Sequence, residues 1–176
     1  MPPRKVIVRG SSGAGKTTLA KALAQRLGVE HVEMDAIHHL PDWAERPREE
    51  TRAIVDEVVQ RDGWVIDGNY RNALDHHLEK ADMVVWLDYS FPTVFVRLLA
   101  RTVRRAARRE VLWAGNRESF RKSFLSRRSI LLWMMTTHHR HHRQCVEYKR
   151  RLAGTNTKFV HLMSPLATDL WLAGLE

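Results

Sequence analysis

A chain of 176 residues, 44% hydrophobic and 28% charged, can bury a core without metal or cross-links, and one domain is expected over residues 1–176. A single cysteine, Cys145, excludes an internal disulfide framework; with no apolar signal core in the first ten residues and no stretch of ~18 uncharged apolar residues, a cytoplasmic protein without a membrane partner is expected. The formal net charge of +9 is unevenly placed: residues 1–96 carry a net −3, residues 97–128 a net +9 and residues 129–176 a net +3, so one segment is suited to phosphate, on a small nucleotide or on a nucleic-acid backbone.

Residues 5–8 read as a short buried strand. A glycine loop follows, and then a helix over Lys16–Leu27 with Leu19, Ala20, Leu23 and Leu27 on one face and Gly28 as its stop. The loop Gly10-Ser11-Ser12-Gly13-Ala14-Gly15-Lys16-Thr17 fits GxxxxGK[ST] at every position. Glycines let backbone amides turn inward toward phosphate oxygens, and the helix N-terminus adds partial positive charge beneath them. Lys16 would reach the β- and γ-phosphates and Thr17 would ligate Mg²⁺, with Thr18 beside it. ATP and Mg²⁺ are the expected cofactors.

Further along, a strand at 29–34 leads into a polar, proline-marked loop at 35–47, and 48–61 is helical by periodicity. Residues 64–66 and Met83–Leu87 are the third and fourth strands. Each delivers an aspartate, Asp67 and Asp88, to its end. Ser90 and Pro92 open a helix over 91–109, Gly115 and Asn116 mark a break, and a long helix covers 119–152. Lys158–Leu162 is the fifth strand and 165–172 a last short helix. Alternating strands and helices predict an α/β fold, a three-layer, doubly wound, parallel five-stranded sheet of the P-loop type.

Three segments together, the glycine loop, "WVIDGNYR" and "LDYSFPTVFVRLLAR", resemble the nucleoside monophosphate kinase group. The DGNYR segment is similar to the DGFPR motif of adenylate kinases. With "MDAIHHLPDW" and the arginine-rich helix, the chain most resembles the small adenylate-kinase-related topology-modulation proteins, from about residue 6 to residue 152. The resemblance implies that Asp67 holds Mg²⁺ through water and that Arg71 contacts the acceptor phosphate. It also implies that Asp35 touches the acceptor hydroxyl or the metal shell, and His38 and His39 follow into the same pocket. Where the family pattern has Phe-Pro, this chain has Asn69-Tyr70, so a different acceptor pocket is expected.

Arg97, Arg101, Arg104 and Arg108 share a helical face, opposite Phe95, Leu98, Leu99, Val103 and Ala106. The resemblance makes this region, about 104–122, a short lid whose arginines close over the triphosphate, with Arg104, Arg105, Arg108 and Arg109 the candidates by position. The lid holds no cysteine pattern for zinc. Trp113 and Phe120 are candidates to pack it down. In the related kinases the loop after the fifth strand lies against adenine, so Ser164 and Pro165 are placed there. The tract His138-His139-Arg140-His141-His142 reads as a solvated or interface cluster, and Cys145 as a helix residue without chemistry. Trp64, Trp86, Trp133 and Trp171 are expected in the core.

The leading expectation is a Mg·ATP-dependent kinase of a small acceptor, a nucleoside monophosphate first. The rivals are a nucleic-acid-associated ATPase using the basic 97–128 segment and an NTPase switch without an acceptor. No helix-turn-helix, RNA-binding motif or zinc finger accompanies that segment.

Overall fold

Alternation along the first strand sets the architecture. In β1 (Lys5–Gly10), Val6 and Val8 point to one face of the sheet and Ile7 to the other, and none of the three is exposed. A strand apolar on both faces needs a helical layer on each side. The structure, a computed structural model, describes residues 2–117 and 130–175, the side chains of 130–133 excepted.

The elements after β1 are α1 (Lys16–Leu27), β2 (Glu30–Glu33), α2 (Met34–His38), α3 (Arg48–Val58), β3 (Trp64–Asp67), α4 (Arg71–Leu74), β4 (Met83–Leu87), α5 (Phe91–Arg108), α6 (Ile130–Arg151), β5 (Lys158–Leu162) and α7 (Pro165–Ala173). Short 3₁₀ turns cover Pro41–Trp43, Asp75–Lys80 and Trp113–Gly115. All five strands are parallel, in the order β2-β3-β1-β4-β5. Chain order reverses direction at β1, so the loop leaving β1 sits at the switch point, the crevice where doubly wound sheets bind ligands. The register places Glu33 beside Asp67 and Gly10 beside Leu87, so every functional strand end opens on one edge.

Two apolar clusters fill the layers. Leu19, Leu23, Val94, Leu98 and Met134 cover the Val6/Val8 face, and Val55, Leu74, Cys145, Tyr148 and Leu152 cover the Ile7 face. Trp64 and Trp86 are core residues, and Trp171 packs against the first cluster; the side chain of Trp133 lies outside the described residues.

Two expectations change in detail. Residues 35–47 are not a plain loop: Met34, fully buried, anchors the one-and-a-half-turn α2, and Pro41 opens a 3₁₀ turn. Both pieces are too short to show a 3.6-residue period. In α5 the buried stripe is Val94, Leu98, Thr102 and Ala106, and Val103 is 41% exposed. Thr102 is polar, so the strict i, i+4 stripe does not stand out as apolar. The start of the long helix expected at 119 lies outside the described residues. Among the described residues no helix is long and apolar enough to cross a membrane.

Candidate active site

The phosphate end is built by local chain geometry. Gly13 has φ 88°, and a Cβ there would lie 2.4 Å from the Val94 carbonyl oxygen, so only glycine fits between the loop and α5. Ser12, Gly13, Gly15, Lys16, Thr17 and Thr18 face a large cleft, while Gly10, Ser11 and Ala14 lie behind them against the protein. The Lys16 ammonium donates to the Ser11 carbonyl at 3.3 Å, and Arg97 braces the loop by donating to the Gly13 carbonyl at 3.2 Å. Burial lowers the pKa of Lys16, opposed by the nearby carboxylates Asp35 and Asp67.

Three carboxylates face this loop. Asp67, 2% exposed at the end of β3, has a buried Oδ1 with no hydrogen-bond donor, and His31 Nε2 stands 3.5 Å away in ion-pair range only. Glu33, at the end of β2, accepts from the Thr17 hydroxyl at 3.4 Å; its contact to the loop is not visible in sequence because only the β2–β3 register brings it there. Asp35, one helical step on, accepts from the Tyr70 hydroxyl at 2.6 Å. The carboxylates of Asp67 and Glu33, neighbours in register, with the Thr17 hydroxyl against Glu33, make a hard-oxygen donor set that fits Mg²⁺. Asp67, Glu33 and Thr17 would hold it.

The segment Asn69-Tyr70 has its own work. Asn69 Nδ2 donates to the Gly10 carbonyl at 2.8 Å and ties the turn to the start of the phosphate loop. Gly68, at φ 144°, lets that turn approach α2, where a Cβ would meet the Cβ of Met34 at 2.7 Å. Tyr70 fixes Asp35, and burial with that bond raises the phenol's pKa. Arg71 lines the cleft and donates to Asp75 at 3.2 Å. This bond leads the causes that raise the guanidinium's pKa. Behind it, Asp75 also accepts from buried Arg9 at 2.9 Å and from the Tyr148 hydroxyl at 2.7 Å. Arg9, next to the glycine loop, reads from sequence as a strand residue of no note.

The far end of the cleft is aromatic and basic. Asp35, His38, His39 and Arg71 line it, joined by Trp43 and Trp113. His39 stacks on Trp113 with centroids 5.7 Å apart, and Trp43 stands edge-on to Trp113 at 6.5 Å. Asn116 joins the two loops: its side-chain oxygen accepts from the Trp43 backbone N–H and its amide donates to the Leu40 carbonyl, each at 2.9 Å. Arg97, Arg101, Arg104 and Arg105 of α5 line the same cleft. Arg108 does not. It lies on the same helical face one turn beyond Arg104, exposed and past the cleft, and Arg109, the other lid candidate outside the lining, is exposed beside it. Ser164 is also outside the lining; its hydroxyl caps α7 by accepting from the Ala167 N–H at 3.1 Å. The cleft has a volume of about 2170 Å³, well above the roughly 300–1,000 Å³ of a single small-molecule pocket.

Residues 6–119, more than half of the chain, match the model of the AAA domain family. The chain belongs to this family, within the P-loop nucleoside and nucleotide kinase group. Relatives include a putative adenylate kinase of Thermococcus onnurineus, 36% identical over 54% of each chain. An adenylate kinase of Haloarcula marismortui is 32% identical over 56% of this chain and 57% of its own. An uncharacterised protein of Bacillus subtilis, YqaC, is 26% identical over 72% of each. The chain thus spans about half the length of the first two of these curated relatives. Shikimate kinase from Bacteroides thetaiotaomicron shares the fold, with a TM-score of 0.53 at 16% identity over 97% of this chain and 95% of that one.

The histidine tract lies where sequence reading did not place it. Helix α6 lies across the phosphate loop, and the tract faces inward on one side. His138 Nδ1 is 3.0 Å from the Ser11 hydroxyl, and His142 Nδ1 is 2.9 Å from Asp88. His141 is buried and lines the cleft; burial first, then Lys16, push its pKa down to about 4. The signal was present as a helical stripe, His138, His141, Cys145, Tyr148 and Leu152, that continues the buried face of α6 through polar residues. Cys145 is buried, and its thiol is pushed up to about 12, which leaves it protonated and inert.

Proposed function

We propose that this chain is a Mg·ATP-dependent phosphotransferase for a small acceptor, with a nucleoside monophosphate the leading candidate. The observation that carries the reading is one cleft lined both by a phosphate loop with Lys16, Glu33 and Asp67 and by an arginine- and aromatic-rich stretch with Asp35 and Arg71. ATP occupies the first end and the acceptor the second. Thr17, Glu33 and Asp67 would hold Mg²⁺, which when bound would supply positive charge against the phosphates. Lys16 contacts the same phosphates. Arg71 grips the acceptor's anionic group, and Asp35, held by Tyr70, orients the attacking oxygen or takes its proton. The bond from the γ-phosphorus to the bridging oxygen breaks as the bond to the acceptor oxygen forms. Arg97, Arg101, Arg104 and Arg105 offset the charge in flight. Residues 104–122 act as a short lid, of which 118–122 lie outside the described residues. Positioning and electrostatics supply most of the catalysis.

The α5 arginines that line the cleft favour this reading over nucleic-acid binding, because those charges are directed at a small-molecule site. A cytoplasmic enzyme is the matching location. The test is ATP consumption with Mg²⁺ against nucleoside monophosphates, nucleosides and small hydroxy acids, with Lys16→Ala as the blank. An acceptor-dependent rate is expected. A slow rate indifferent to every acceptor but raised by DNA or RNA, and steeply weakened by salt, would replace the kinase with a nucleic-acid-linked ATPase.

A further inference from the structure

Arg9 stands directly before the phosphate loop and is 2% exposed. It follows Ile7 by two positions in β1, so it points to the face covered by Cys145, Tyr148 and Leu152. An apolar side chain would suit that place. A guanidinium there must be desolvated, and replacing a buried ion pair with apolar groups is often neutral or stabilising. Among the described residues, the buried Arg9 Nε also has no hydrogen-bond partner. Stability alone does not account for this charge.

Its partner shows what the charge does. Asp75, 17% exposed, serves two arginines at once. Arg9 Nη2 donates to its Oδ1 at 2.9 Å, and Arg71 Nε donates to its Oδ2 at 3.2 Å. The Tyr148 hydroxyl lies 2.7 Å from each oxygen, and the Arg9 guanidinium stands 5.3 Å from the Tyr148 ring. The two arginines differ in surroundings. Arg9 is enclosed, so its attraction to Asp75 is weakly screened, whereas Arg71 is half exposed and lines the cleft. One carboxylate against two guanidiniums leaves a net positive charge, and Arg71 presents it to the cleft. Arg71 reaches Asp75 through Nε, so the terminal edge of its guanidinium, which meets phosphate in bidentate fashion, is not spent on that carboxylate.

We propose that Arg9 is a positioning residue for Arg71: by neutralising Asp75 from the buried side, it lets that carboxylate orient Arg71 in the cleft without cancelling its charge. The inference rests on the reading of Arg71 as the grip for an anionic group. It adds a residue that touches no ligand and acts through Asp75 alone.

The test follows the Arg71 Nε–H resonance of the whole chain by NMR, identified by its loss in Arg71→Lys, during titration with inorganic phosphate at constant ionic strength. In the parent the signal is expected to shift and saturate. Arg9→Met removes the buried charge but leaves Asp75 its bonds from Arg71 and Tyr148. Phosphate affinity read at Arg71 is then expected to fall about 5-fold or more, the effect of one nearby unit charge in a partly wet site. Arg9→Lys keeps the charge and is expected to stay within about twofold of the parent. Arg9→Met combined with Asp75→Asn removes both charges and is expected to regain most of the parent's affinity, whereas a scaffold role predicts the double variant to be the weaker. Thermal melting shows which variants fold; if Arg9→Met does not, the double variant is judged against the parent on the same criterion. Arg9→Met affinity equal to the parent's, an equal loss in Arg9→Lys, or a double variant no better than Arg9→Met overturns the positioning role and leaves Arg71 as the anion grip. A parent Arg71 signal that phosphate does not move overturns both.

Discussion

The two ends of the cleft are assembled by different means. The phosphate end is almost continuous in the chain: Ser12 to Thr18 are neighbours, and the helix that follows supplies the field. The acceptor end is a meeting of distant side chains. Asn116 bonds to groups 73 and 76 residues away, and Tyr70 reaches Asp35 across 35 residues. A ligand held by backbone amides constrains a local conformation, which glycine spacing reveals. A ligand held by side chains constrains only where those side chains finish, and many sequences reach the same place.

The contrast can be broken first at Lys16. Lys16→Ala is expected to lower kcat by about 10³-fold or more with every acceptor, because it removes charge stabilisation common to all. Melting should show an intact fold, and turnover within a few fold of the parent would sink the assignment of the phosphate end.

A pH dependence of stability is expected from the buried histidines. His141 has a folded pKa near 4 against an ordinary 6.5, and burial lowers His39 and His138 in the same direction. The unfolded chain therefore binds more protons in that window. The stability contribution is complete above pH 6.5 and is lost as pH falls toward 4, by up to about 3 kcal/mol for His141. Melting temperature against pH checks this, and His141→Gln should flatten the acid limb. An unchanged acid limb would mean that the imidazole is not buried neutral over the phosphate loop.

Asn116→Ala sharpens the contrast at the acceptor end. It leaves the Trp43 N–H and Leu40 carbonyl without their partner, for about 2 kcal/mol, and should raise the acceptor KM while the ATP KM moves little. Asn116→Asp, which sets a buried carboxylate oxygen against the Leu40 carbonyl, should cost at least as much. The smallest expected effect is at Arg71. Arg71→Ala should raise the acceptor KM by about 10-fold with less change for ATP. A shift confined to the ATP KM would move Arg71 to the other end of the cleft.

Much of the fold was legible. The boundaries of α1, β4 and β5 agree with the sequence reading to the residue, because each is bracketed by turn residues or by an abrupt change in polarity. Asp35, Asp67, Arg71, His38 and His39 all reach the cleft, and their signal was position at a strand end or in a shared motif. Glu33, Arg9 and the inward-facing histidines were not legible. A glutamate at the end of a mixed strand, an arginine in an apolar one and a polar stretch of helix each read as solvated until packing closes over them.

What the sequence by itself determined is the glycine loop and the parallel α/β frame, since both follow from local spacing: glycines at a turn, and apolar runs alternating with helical periods. What only the tertiary structure decided is which groups share the cleft. It left Arg108 outside, brought Glu33 to Thr17, and set Trp43 beside Trp113. Helix length, strand register and a buried amide between two loops made those choices, and none of them is a property of any short stretch of chain.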